Sequence, residues 1–187
     1  MRNKRFIILA LATFGMVACT NSGPIERAEG EQTREEGALE GTRLKTDAQF
    51  IKIYVQQTLF SMAAAKIADE RAIDPKVRDF ADDLQEDYRR LYEEAVKLAE
   101  NNKLPVPDEI TEDQAEELED LRNADQLAFD EIYLETVVSY TQAVNAEADN
   151  LIKNSQLDPI IDFATKMKES QFVHFNRAQE LRQELGT

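Results

Sequence analysis

Apolar positions recur at intervals of three and four residues along four long stretches, and no two-residue alternation competes with them. The first stretch runs from about Ala48 to Ile73. Phe50, Ile53, Tyr54, Gln57, Phe60, Ser61, Ala64, Ile67 and Ala68 share one of its sides. The second, from Pro75 to about Asn101, presents Val77, Phe80, Ala81, Leu84, Tyr88, Leu91, Ala95 and Leu98. The third, from near Ala124 to about Lys153, turns Phe129, Ile132, Tyr133, Thr136, Val137, Tyr140, Val144, Ala148 and Leu151 inward. The fourth runs from Asp158 to Leu185 with Ile160, Ala164, Met167, Gln171, His174, Ala178, Leu181 and Leu185 on one face.

The breaks between these stretches are chemically clear. Asp74–Pro75 and Asp158–Pro159 end one helix and start the next, because proline suits the first helical turn and no later one. "NNKLPVPDE" stops the second helix with two prolines in three positions. The run from Asp108 to Asp120 then carries eight acids and no base. It still spaces Ile110, Ala115, Leu118 and Leu121 for a short amphipathic helix that Thr111 could cap. The run lacks the glycine and alternating oxygen ligands of a calcium loop, so it reads as a solvated surface.

Four helices of about 25 residues, each about 35–40 Å long, bury their stripes most simply against one another. The fold class expected is all-α: an antiparallel four-helix bundle with an extra short helix between helices two and three. It occupies residues 47–187 as one domain.

The N-terminus belongs to another part of the picture. "MRNKR" is basic, and "FIILALATFGMVA" is an apolar run of 13 residues, short for a membrane span of about 20. It reaches small residues just before Cys19, the only cysteine. Residues 1–18 read as a signal peptide, and "MVAC" looks like a lipobox in which Cys19 is lipidated, with Met16 where leucine is usual. The alternative is an ordinary signal cleaved near Ala18 that leaves Cys19 as a free thiol. With one cysteine, no intrachain disulfide or cysteine-based zinc site can form. Residues 19–46 are dense in charge and carry glycines 23, 30, 37 and 41, which predicts a flexible tether, with a transient helix in its second half as the variant.

Removing the three basic n-region residues leaves 19 Lys and Arg against 37 Asp and Glu. Such an excess of acid argues against nucleic acid and against docking on anionic lipid. Membrane association would come through the lipid on Cys19. The expected location is the cell envelope, at the periplasmic face of the outer membrane, since Thr20 is not the aspartate associated with inner-membrane retention.

The inward stripes contain a polar minority: Gln57, Ser61, Tyr88, Tyr140, Gln171 and His174. If their heights agree, they form a hydrogen-bonded layer that fixes register. A di-metal carboxylate site needs inward glutamates on two helices and Glu-x-x-His on two more. The chain has one histidine, and the residue three before it is Gln171. Metal candidates are therefore reduced to His174, Asp87 and Asp130. No GxSxG, HExxH, phosphate loop or CxxC is present, so no catalytic residue is assigned and enzymatic activity is not expected.

Three segments, "VRDFADDLQEDY" (77–88), "FDEIYLETVVSYT" (129–141) and "QFVHFNRAQEL" (171–181), stand in an order and spacing that resembles the DUF4142 family of exported bacterial proteins, described as ferritin-like. The resemblance covers about residues 47–183. Asp87, Phe129, Asp130, Tyr133 and His174 match the family pattern. Tyr88 and Thr141 stand where it commonly has histidine, and Ser61 stands near an expected glutamate. The resemblance implies a ferritin-like bundle whose polar core has lost most of its imidazoles.

Two functional classes follow. One is a non-enzymatic, lipid-anchored envelope protein without a cofactor, structural or stress-related, which acts on an envelope protein partner or a second copy of itself. The other is a ferritin-like metal-binding or redox protein with a degenerate centre for iron or another divalent metal.

Overall fold

The computed structural model describes residues 24–186. The expected signal segment and Cys19 lie outside the described residues. The chain divides into two compact units, Met1–Gly37 and Ala38–Thr187. In the first, residues 24–37 are helical. All the packing below belongs to the second.

Five helices make up the described chain: α1 (Pro24–Arg71), α2 (Pro75–Asn101), α3 (Glu112–Asn123), α4 (Phe129–Asn154) and α5 (Asp158–Leu185). The fold is all-α, a helical bundle with a short extra helix between its long members, as the periodicity indicates. Residues 24–46 lie within the segment expected as a tether (19–46) with a transient helix in its second half, and they are helical as the first part of α1. Glu, Arg, Ala and Gln, all good helix formers, dominate that segment between its glycines, and Pro24 stands at its start.

Ion pairs reveal the helix directions. Lys76 meets Glu184 and Lys166 meets Glu94, so α2 and α5 are antiparallel. Arg182 meets Glu131 and Lys168 meets Asp149, so α4 and α5 are antiparallel too. Hence α2 and α4 run the same way, and residues 102–128 must return along the length of the bundle. They climb beside α1: the Gln56 amide donates to Glu109 O at 3.3 Å, and Arg71 donates to Leu121 O at 2.9 Å. This crossover explains why α1 buries a wider face than one stripe. Ile51, Val55, Thr58 and Ala65 are covered in addition to most of the expected set.

The crossover starts and stops on well-made caps. At the end of α2, Lys103 N–H donates to Glu100 O and Leu104 N–H to Ala99 O, the paired bonds of a Schellman turn. Lys103 takes the left-handed conformation there, with φ 56°. Thr111 caps α3 in a reciprocal capping box with Gln114. α4 begins at Phe129, five residues later than the periodicity indicates. Ala124 is extended, and Asp125 accepts from Leu127 N–H at 2.9 Å to make a turn instead.

The α4 stripe is also rotated from the expected one. Leu134, Val138 and Thr141 are buried, while Ile132 is exposed and Thr136 lies at the edge, its hydroxyl bonded to Ile132 O. α4 packs chiefly on α5, which draws that side inward. Tyr140 instead faces the crossover, stacked on Phe60 and donating to Glu117 at 2.5 Å. Ala115 and Leu185 miss the core and are exposed, while Leu98 is only partly buried against it and Ala99 is fully covered.

The core forms two clusters along the bundle. One, around Phe60, Phe80, Leu84, Phe129, Tyr133 and Leu181, fills the end where α1 meets α2. The other, around Phe50, Tyr54, Leu91, Leu151, Phe163 and Met167, fills the opposite end.

Candidate functional site

Between the two clusters lies a polar seam. Gln57, Ser61, Tyr88, Tyr140 and Gln171 line one internal cavity with Tyr54, Thr58 and Val144, and it has no room for a water molecule. The Tyr88 hydroxyl donates to Gln171 Oε1 at 3.2 Å, and the Ser61 and Thr141 hydroxyls lie close to it. Burial pushes the Tyr88 phenol up to about 12, partly offset by these three partners. The phenol is therefore neutral at any physiological pH and acts as a hydrogen-bonding group. Thr58 and Thr141 are buried here although periodicity did not single them out. Each hydroxyl bonds back to the carbonyl four residues earlier, Tyr54 O and Val137 O, which hides its polarity inside the helix.

His174 stands apart from the cavity, with its ring against the Tyr88 edge at a centroid distance of 5.2 Å. Its Nε2 lies 3.1 Å from Asp87 Oδ2. Asp87 is shared, since Arg90 donates to its other oxygen at 2.5 Å. Burial lowers the His174 pKa below 6.5, and the bond to Asp87 restores only part of the shift. The imidazole is therefore neutral at pH 7. With a carboxylate as acceptor, its proton sits on Nε2, and Nδ1 is buried with no hydrogen-bond partner. A groove of about 250 Å³ opens beside the pair, with Asp83, Glu86, Val173 and Arg177 among its walls.

Asp130 serves a different purpose from the one considered for it. Both of its oxygens accept backbone N–H groups from the turn between α1 and α2, Ile73 at 3.0 Å and Asp74 at 2.8 Å. It sits in the first turn of α4, where a negative charge also suits the helix dipole. Asp130 and His174 share no partner. Nearby, Arg71 donates to Leu121 O, Arg122 O, Ala124 O and Gln126 Oε1, and its guanidinium lies 4.7 Å from the centre of the Phe129 ring. Periodicity gave no sign of Arg71. Its charge puts it outside any apolar stripe, and its partners are carbonyls that the sequence does not mark.

The residues do not fit a di-metal centre. Among the described residues, no three of His, Cys, Asp and Glu converge as metal ligands would. Asp130 is committed to amides, and Asp87 to Arg90 and His174. The fold and the site thus define a helical bundle with one long crossover and an internal polar seam.

Within that class the chain belongs to the DUF4142 family, whose model, "Domain of unknown function (DUF4142)", matches residues 31–181. The sequence has no match among curated proteins. A solved structure, the "Crystal structure of DUF305 fragment from Deinococcus radiodurans", is similar with a TM-score of 0.65 at 16% identity. The match covers 75% of this chain and 95% of that one, and at such identity it shows the fold alone.

Proposed function

We propose that this chain is a non-enzymatic, lipid-anchored cell-envelope bundle that acts through protein contacts, as a structural or stress-related module. The observation that carries this reading is that each candidate reactive group already has a structural role. Asp130 clamps a turn, Asp87 is shared between His174 and Arg90, and Tyr88 is a neutral phenol within a hydrogen-bonded seam. The proposed anchor is the lipid on Cys19, with the outer membrane's periplasmic face as the destination. No helix among the described residues is long and apolar enough to cross a membrane. Labelled palmitate should enter the wild-type chain and not a Cys19→Ser variant, and the wild type should fractionate with outer membrane. Equal labelling of both, or recovery in the inner membrane, would refute the anchor as stated.

Two observations favour a second reading, a ferritin-like protein with a degenerate metal centre. His174 Nδ1 is buried without a partner, and the single long crossover is a connection ferritin-like bundles also use. Metal analysis of the purified chain, repeated after His174→Ala, separates the two. Sub-stoichiometric metal in both proteins is the outcome expected for the first reading. Stoichiometric metal that disappears with the substitution establishes the second.

A further inference from the structure

Among the described residues, a surface cleft has walls without acid. Lys45, Ala48, Gln49 and Lys52 on α1 face Pro105, Val106 and Pro107 of the crossover across a space of about 630 Å³. That volume lies in the range of small-molecule sites. The four α1 residues follow helical spacing and share one face, with Lys45 and Lys52 about 10 Å apart along the axis. Neither lysine takes part in any ion pair among the described residues. In a chain of 37 acids and 22 bases, a cleft lined by two lysines and no acid gathers positive charge in one place.

The opposite wall is apolar and pre-formed. The Schellman turn at Lys103 fixes where the crossover leaves α2, and Leu104 and Val106 pack on the core cluster behind it. Pro105 and Pro107 carry no N–H, so this wall offers few backbone donors. A peptide laid there would leave its amide groups unpaired, whereas an aliphatic chain has none to satisfy. The charge and the walls therefore call for different parts of one ligand.

We infer that this cleft binds a single-chain carboxylate amphiphile of fatty-acid chemistry. Its head lies between the Lys45 and Lys52 ammoniums, and its tail runs along Ala48, Pro105, Val106 and Pro107. This binding is independent of lipidation at Cys19 and of any metal at His174.

The test is titration of the full chain bearing Cys19→Ser with tetradecanoate below its micellar concentration, followed by calorimetry and native mass spectrometry. Saturable one-to-one binding that weakens with salt is the expected result. The double variant Lys45→Gln/Lys52→Gln should weaken it about tenfold or more, while Lys97→Gln leaves it unchanged. Both lysines are exposed, so circular dichroism should show an intact fold. Tetradecanol binding as tightly as tetradecanoate would overturn the assignment, as would an unaffected double variant. Binding to anionic phospholipid vesicles without binding to free tetradecanoate would overturn it too, and would make the cleft a bilayer contact.

Discussion

The two ends of the bundle handle buried polarity in different ways. At the end where α1 meets α2, the turn between them and the end of α3 are tied by charged side chains reaching backbone atoms. Asp130 accepts two amides, and Arg71 donates to three carbonyls and stacks on Phe129. At the opposite end Asp47 is buried, with 1% of its surface exposed, and neither of its carboxyl oxygens has a hydrogen-bond partner. Burial raises the Asp47 carboxyl above its ordinary 3.8. The arginines, with Lys76 beside them, follow the same division. Residues 45–65, 91–107 and 143–170 contain lysine and no arginine, while Arg71, Arg122, Arg177 and Arg182 crowd the other end. A rigid guanidinium fork can hold several carbonyls in fixed directions, and a flexible ammonium cannot. The difference teaches that one end is locked by charged side chains on backbone atoms, while the other holds a buried carboxyl without a partner and pairs Lys166 and Lys168 with surface acids.

The largest test of this contrast is Asp130→Ala. It strands two backbone amides and should destabilise the protein by about 3 kcal/mol in urea unfolding. Hydrogen exchange should show the loss concentrated in the α1–α2 turn. Equal loss of protection around Ser155 would break the division into two ends.

His174→Ala should cost about 2 kcal/mol, from a lost ring contact with Tyr88 and an abandoned partner at Asp87. The pH dependence gives a sharper measurement. His174 has its pKa lowered in the folded chain, so below about 6.5 the unfolded chain takes a proton that the folded imidazole resists. Its stabilising contribution is full above that pH and falls as acid is added. Replacement by Gln should flatten this part of the stability profile, measured by thermal unfolding at a series of pH values.

Asp47 has the opposite sign. Its folded pKa is raised, so its contribution is fully present below 3.8 and is lost as pH rises through the folded value. Asp47→Asn should therefore stabilise the chain at pH 7, by about 1 kcal/mol, and the gain should vanish in strong acid. A destabilising Asn at neutral pH would show that the carboxylate is better paired than its surroundings indicate. The smallest effect is expected at Lys103, whose left-handed φ favours glycine. Lys103→Gly should add roughly 0.5 kcal/mol, seen as a higher urea midpoint with an unchanged slope.

Much of the bundle was legible because it rests on local signals. Asp74–Pro75, the two prolines after Lys103 and Thr111 with Gln114 each set a helix boundary through atoms only a few residues apart. The stripe on α2 needed only one correction, Ala99 covered more fully than Leu98, because that helix has one dominant buried face. α4 was harder to read. Leu134 and Val138 are as apolar as Ile132, and periodicity cannot choose between faces when both are apolar. The choice came from α5 on one side and from Phe60 and Glu117 on the other.

The candidate site shows the same limit more strongly. The single histidine, the amide at Gln171 and the phenol at Tyr88 could be read as an inward polar minority from spacing alone. Their hydrogen bonds could not. Tyr88 and Gln171 are 83 residues apart in the chain, and Asp87 and His174 are 87 apart.

By itself, then, the sequence determined the helices, their turns, the acidic surface and the small stock of core polar groups, because each depends on neighbours within one or two helical turns. Only the tertiary structure decided that α2 and α4 run the same way, that the crossover covers α1, that Asp130 closes a turn, and that two lysines face a proline wall. Those outcomes depend on helix directions and heights, which are fixed when separate stripes pack together and bring distant residues within a few ångströms.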